Sequence, residues 1–224
     1  LRVRHLALIA AVSAALLAVV LGLSACASSG GASGLPSQVP AVAGYSSAAP
    51  ASSFGLATNK RYGFSLRYPL GWVSATTSAA PGNPSGGALF SASWADPHGK
   101  LVQGHYVDAL QVSVYALSKA VQPADLVTHS GDFKAIVDGL TKGLPMFAVS
   151  DPFRPITVNG TKGFQITYTY GIHSTPAGAM SYLLLKGRYA YWITGQATAD
   201  TWSAAWAKLT PAMASFTIKA VKTK

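Results

Sequence analysis

Acid–base or metal chemistry in this sequence has to be built from aspartate and histidine, because it contains no glutamate and one cysteine. That excludes paired-glutamate glycosidase sites, zinc-protease helices and thiolate zinc sites. No Gly-x-Ser-x-Gly elbow, Walker loop or dinucleotide glycine pattern occurs either. Asp125 and His129 stand four apart on an expected helix and meet on one face, where they can hold a metal or simply form a solvated ion pair. Asp96, His98, His105 and Asp108 bracket one polar loop and the strand after it; they converge if that hairpin is tight and are solvated if it is not. His173 has no evident partner. No catalytic set, metal site or cofactor is expected from these groupings.

Aromatic side chains offer a second kind of site. Tyr68, Tyr168, Tyr170, Tyr182, Tyr189, Tyr191 and Trp192 fall in expected strands. Those left uncovered by helices can line a groove with apolar bodies and polar tips, suited to an amphiphile or a sugar. The alternative is that they are core and cross-strand pairs.

The cysteine carries its own chemistry. Leu23-Ser24-Ala25-Cys26 closes an apolar run, Leu6 to Leu23, that follows a basic head of Arg2, Arg4 and His5. This is the layout of a secretory signal, and the four residues read as a lipobox. The thiol of Cys26 then takes a diacylglyceryl group, and Cys26 becomes the first residue after cleavage. Residues 1–25 are the expected signal peptide; an uncleaved span is the alternative, since eighteen apolar residues can just cross a bilayer. Both readings put the rest of the chain outside the cytoplasm at the cell membrane. Two acyl chains would make the attachment stable.

Without residues 1–25 the chain has 199 residues, enough for one domain with its own core. The formal net charge of +10 falls to +8 when Arg2 and Arg4 leave with the signal. No window is dense enough in Lys and Arg to mark a nucleic-acid or lipid site, so no nucleic-acid partner is expected. Residues 26–57 are Ala, Ser, Gly and Pro with no charge, a composition that cannot offset its ordering entropy. They read as a disordered tether of roughly 30 Å root-mean-square span. Residues 58–219 form the expected domain and 220–224 a basic tail.

Hydrophobic periodicity supplies the elements that must position these groups. Period-two alternation marks strands at 62–68, 88–94, 106–117, 156–158, 164–170, 180–185 and 188–194, with Trp72 opening a return strand after the Pro69-Leu70-Gly71 turn. Lys186-Gly187 makes a two-residue hairpin turn. Helical spacing marks Phe133, Ile136, Val137 and Leu140, and again Trp202, Ala205, Trp206 and Leu209. The last helix is capped near Thr198 to Asp200 and disturbed at Pro211, and Phe216 to Ile218 closes the sheet. The fold class is α+β.

The run Tyr62-Gly63-Phe64-Ser65-Leu66-Arg67-Tyr68-Pro69-Leu70-Gly71-Trp72, then Asn159-Gly160 and Gly163-Phe164, then Tyr191-Trp192-Ile193-Thr194 and Ser215-Phe216, resembles the PsbP-like family, in particular its bacterial envelope lipoproteins of the LpqN type. The resemblance implies an α-β-α sandwich around a six- or seven-stranded antiparallel sheet. It transfers no catalytic residues, because members serve mostly as accessory or binding subunits. In the motif residues Gly71 and Gly163 are expected in turns, Trp72 and Phe164 in the core.

The expected function is a lipid-anchored, non-enzymatic accessory or interaction module of the cell envelope. A carrier for an amphiphilic lipid or glycolipid is the alternative, and a hydrolase using loop Asp and His is the third. A closed aromatic cavity favours the carrier. A filled core with an exposed apolar patch favours the interaction module.

Overall fold

The computed structural model describes residues 53–78, 88–121, 138, 141 and 143–219. The signal, Cys26, most of the tether, the pair Asp125 and His129, the apolar face Phe133 to Leu140, and the tail all lie outside them.

The described chain is mostly antiparallel sheet. Six members run in the order β3(Val73–Ser78), β4(Phe90–Ala95), β7(Ala109–Val121), β10(Thr175–Thr198), β9(Thr161–Ile172), β8(Ala148–Val158). A second sheet joins β1(Phe54–Asn59), β2(Phe64–Pro69) and β11(Thr217–Ile218), and a two-residue hairpin pairs β5(Leu101–Val102) with β6(His105–Tyr106). The helix α1(Trp202–Ala214) packs on β10, β2 and β7.

β10 spans 24 residues yet folds back on itself. Its ends meet, with Ala199 N–H donating to Pro176 O at 2.9 Å, and Ser181 Oγ lies 2.8 Å from Thr194 Oγ1. The exposed tip is Lys186 to Arg188, with Gly187 at φ +59°, so the hairpin expected at Lys186-Gly187 is present. One arm pairs with β9, Thr175 to Leu184 against Ile172 to Gly163, and the other with β7, Gln196 against Ala109.

Alternation then sorts side chains between two cores. Trp94, Leu110, Val112, Tyr191 and Ile193 face α1 and the three-stranded sheet, where they meet Phe64, Leu66, Trp206, Leu209 and Phe216. Phe164, Ile166, Tyr168, Tyr170 and Trp192 point to the opposite face, joined at its edge by Leu144 and Phe147. Trp72 and Phe164 are core residues, as expected.

Several local expectations change. β1 takes Phe54 to Ala57 out of the tether, since its backbone pairs in register with β2. The chain turns at Pro69 to Trp72, but β3 does not return along β2; it crosses to the larger sheet and pairs with β4. The Pro-rich link before Ile156 is strand β8, because an edge strand tolerates Pro152 and Pro155. The loop expected at 171–178 contracts to His173-Ser174. Gly163 lies inside β9, not in a turn: a Cβ there would collide with Leu183 O and sit 2.9 Å from Leu184 Cα. Gly71 does serve its turn, at φ +83°. Pro211 lies within α1, which runs on to Ala214.

Candidate functional site

The connection from β4 to β7 holds the Asp and His residues that sequence spacing grouped, and the structure sends them to opposite faces of the sheet. Asp108, 3% exposed, accepts the Thr198 N–H at 3.2 Å and the Thr201 Oγ1 hydroxyl at 2.7 Å. Thr201 is the N-cap of α1 and makes no side-chain cap bond of its own, so Asp108 fixes the helix entry from the bend just before β7. Asp96 Oδ2 accepts from Lys208 Nζ of α1 at 2.7 Å, and Asp96 Oδ1 from the His98 N–H at 3.0 Å. Asp200, beside the cap, accepts from Lys100 at 3.2 Å. Burial pushes the Asp96 carboxyl upward, but the hydrogen bonds from Lys208 and His98 outweigh it and hold the group below its ordinary value. Asp96 and Asp108 therefore tie α1 and its cap to the ends of β4 and β7. Among the described residues no three His, Cys, Asp or Glu side chains converge as a metal site would require.

His105 goes the other way. It lines a hollow of about 90 Å³ on the face opposite α1, together with His173, Tyr106, Ser93, Gln111 and Gln196. Strand register explains the floor. Ser93, Gln111 and Gln196 lie on three neighbouring strands, with Ser93 opposite Gln111 and Ala109 opposite Gln196, and all point away from α1. The β5–β6 hairpin supplies His105, Tyr106 and Val102 as one wall, and the β9–β10 turn supplies His173 as the other. Tyr170 Oη donates to Gln196 Oε1 at 2.9 Å and Gln196 Nε2 donates to Val107 O at 3.0 Å, so the hairpin is fastened to the sheet beside the hollow. Gln111 is steadied by Ser113 at 3.1 Å, which in turn meets Ser91 at 2.9 Å.

Three tight hairpin turns carry positive φ at both central residues: Gln103-Gly104, Asn159-Gly160 and His173-Ser174. The first two end in glycine, which suits this geometry. His173 and Ser174 do not, at φ +45° and +69°, and hold the imidazole at the rim at a backbone cost that glycine would avoid. Sequence reasoning missed this pairing of His105 with His173, because the two are 68 positions apart and only sheet order joins them.

The seven aromatics do not share one surface. Tyr191 belongs to the helix-side core, with Tyr68, Tyr182 and Tyr189 packed against that cluster; Tyr168, Tyr170 and Trp192 belong to the other. Tyr168, Tyr170, Tyr191 and Trp192 are each no more than 2% exposed. Tyr68 stacks on Trp94 at 5.3 Å between ring centroids. Burial pushes the Tyr168 phenol up to about 12, offset in part by Ser181 and Thr194, so it serves as a neutral hydrogen-bonding group. These rings are packing residues, joined by edge and tilted contacts worth about 1 kcal/mol each beyond their burial. Among the described residues no helix is long and apolar enough to cross a membrane.

No family model matches the chain and no curated protein matches it. Solved structures similar to it include cyanobacterial PsbP (CyanoP) from Synechocystis sp. PCC 6803, at 13% identity and a TM-score of 0.49, over 81% of this chain and 99% of that one. They also include LpqN of Mycobacterium tuberculosis, a protein involved in cell envelope biogenesis, at 15% identity and a TM-score of 0.44, over 70% of this chain and 83% of that one. These are the two kinds of protein that the motif resemblance names. The likeness concerns the course of the backbone; no ligand or partner follows from it.

Proposed function

We propose that this protein is a lipid-anchored, non-enzymatic accessory module of the cell envelope, held to the outer side of the cell membrane through Cys26. The observation that carries the reading is the use made of the carboxylates. Asp96 and Asp108 are engaged in seating α1, Asp200 pairs with Lys100, and the two imidazoles at the hollow have no carboxylate among the described residues that line it. An acid–base pair for hydrolysis is therefore not assembled at this site. The hollow, at about 90 Å³, is also far below the ~300 Å³ at which pockets begin to hold drug-sized ligands. This hollow is therefore not the seat of a whole lipid.

In the same reading the domain is an α-β-α sandwich. Leu144 and Phe147 pack on the face opposite α1, the face that a second helical layer would cover. Native mass spectrometry of the protein taken gently from its own membrane tests the function. The expected result is an acylated chain bound to a stoichiometric protein partner, and a Cys26→Ala variant that stays unacylated and uncleaved. A lipid or glycan retained on the domain after the tether is clipped would overturn it in favour of the carrier.

A further inference from the structure

We propose that the hollow between the β5–β6 hairpin and the β9–β10 turn binds a carboxylate group, taken between His105 and His173. The inference does not depend on the accessory role or on lipid attachment. Three features point to it. The lining offers N–H and O–H donors from both imidazoles, Ser93 and Tyr106, and contains no Asp among its described residues. Gln196 is already engaged by Tyr170 and Val107, so the recognising falls to the two imidazoles, Tyr106 and Ser93. Carboxylate oxygens only accept and take up to about four hydrogen bonds, which such a set of donors can supply.

The second feature is the backbone at His173. A His-Ser pair stands at positive φ where the other two tight turns carry glycine at their second position. A histidine at this point can reach a hollow that Asn-Gly would leave open; strain of this kind collects at binding sites. Third, the rest of the wall is apolar, with Val102, Val107, Ala95 and Ile172, and the chain carries a net charge of +10. The field draws anions, and the apolar wall admits a short carbon chain or ring behind the charge. The ligand class is a small amphipathic carboxylic acid, or the free carboxyl end of a peptide.

Calorimetry and long-range ¹H–¹⁵N spectra of the imidazoles on the full chain, at fixed pH and ionic strength, test this. The probes are benzoate, its neutral counterpart benzamide, inorganic phosphate, and a tripeptide ending in phenylalanine with its carboxyl free or amidated. Benzoate should shift His105 and His173 and leave His98 unmoved, while benzamide does nothing. His105→Ala with His173→Gly should weaken benzoate about tenfold or more, as loss of two such hydrogen bonds predicts. Glycine suits the positive φ at 173, so the turn is kept, and an unchanged melting temperature verifies it. Tighter binding of the free peptide than of benzoate identifies a chain end as the source; the reverse identifies a small acid. Equal response to benzamide, equal binding of phosphate, or undiminished binding by the double variant overturns the proposal. None of these results bears on acylation or on the protein partner.

Discussion

Asp108 Oδ1 accepts the hydroxyl of Thr201 at 2.7 Å across 93 positions of the chain, tying the first residue of β7's approach to the cap of the final helix. Asp108→Ala should lower unfolding free energy by about 2–3 kcal/mol in urea titrations. It removes hydrogen bonds to a charged acceptor and leaves the buried Thr198 N–H unpaired. An effect within about 0.5 kcal/mol would mean that α1 seats itself by packing alone.

Gly99 lies under the same carboxylate, where a Cβ would sit 2.7 Å from Asp108 Oδ2 and 2.8 Å from its Cβ. Gly99→Ala should therefore weaken the fold by about 1–3 kcal/mol, as overpacking does. In an Asp108→Gly background, which removes both atoms, the penalty should shrink, and a double-mutant cycle measures the coupling. Strict additivity would separate the two residues.

Gly163 meets backbone, which cannot swing aside as a flexible side chain can. Gly163→Ala should cost more than Gly99→Ala, about 3 kcal/mol or more, because Leu183 O and Leu184 Cα occupy the space a methyl group needs. Expression with a near-normal melting temperature would mean that β9 and β10 can part locally.

Acid should loosen α1. Asp96 is held below 3.8 in the folded state, so its bond to Lys208 contributes stability that is full above that value and is lost as pH falls through the lower folded pKa. The slope of unfolding free energy below pH 3.8 should be shallower in Asp96→Asn than in the parent. Because Lys208 is half exposed, the whole effect is small, of the order of 1 kcal/mol or less. Identical slopes would show that Asp96 makes no contribution.

Trp72 is 7% exposed and joins the core beneath the Pro69 turn. Trp72→Ala should cost about 3–5 kcal/mol, the usual price of removing a buried indole. A near-neutral variant would place the turn outside the cooperative core.

What the sequence determined by itself is local. Alternation at Phe64, Leu66 and Tyr68, the spacing of Trp202, Trp206 and Leu209, and the glycines at 71, 160 and 187 mark strands, helix and turns, because side-chain period and positive φ are properties of a few consecutive residues. The aromatic content of the strands was equally plain. Which of two faces each aromatic takes was not, since it depends on what covers each side of the sheet. Tertiary structure alone sent β3 away from β2, turned the Pro-rich stretch before Ile156 into an edge strand, and hid Gly163 against its neighbour. It also divided one polar loop, giving Asp96 and Asp108 to the helix and His105 to the hollow beside His173. Such partners are chosen by strand order, and no pattern within a window of adjacent residues records it.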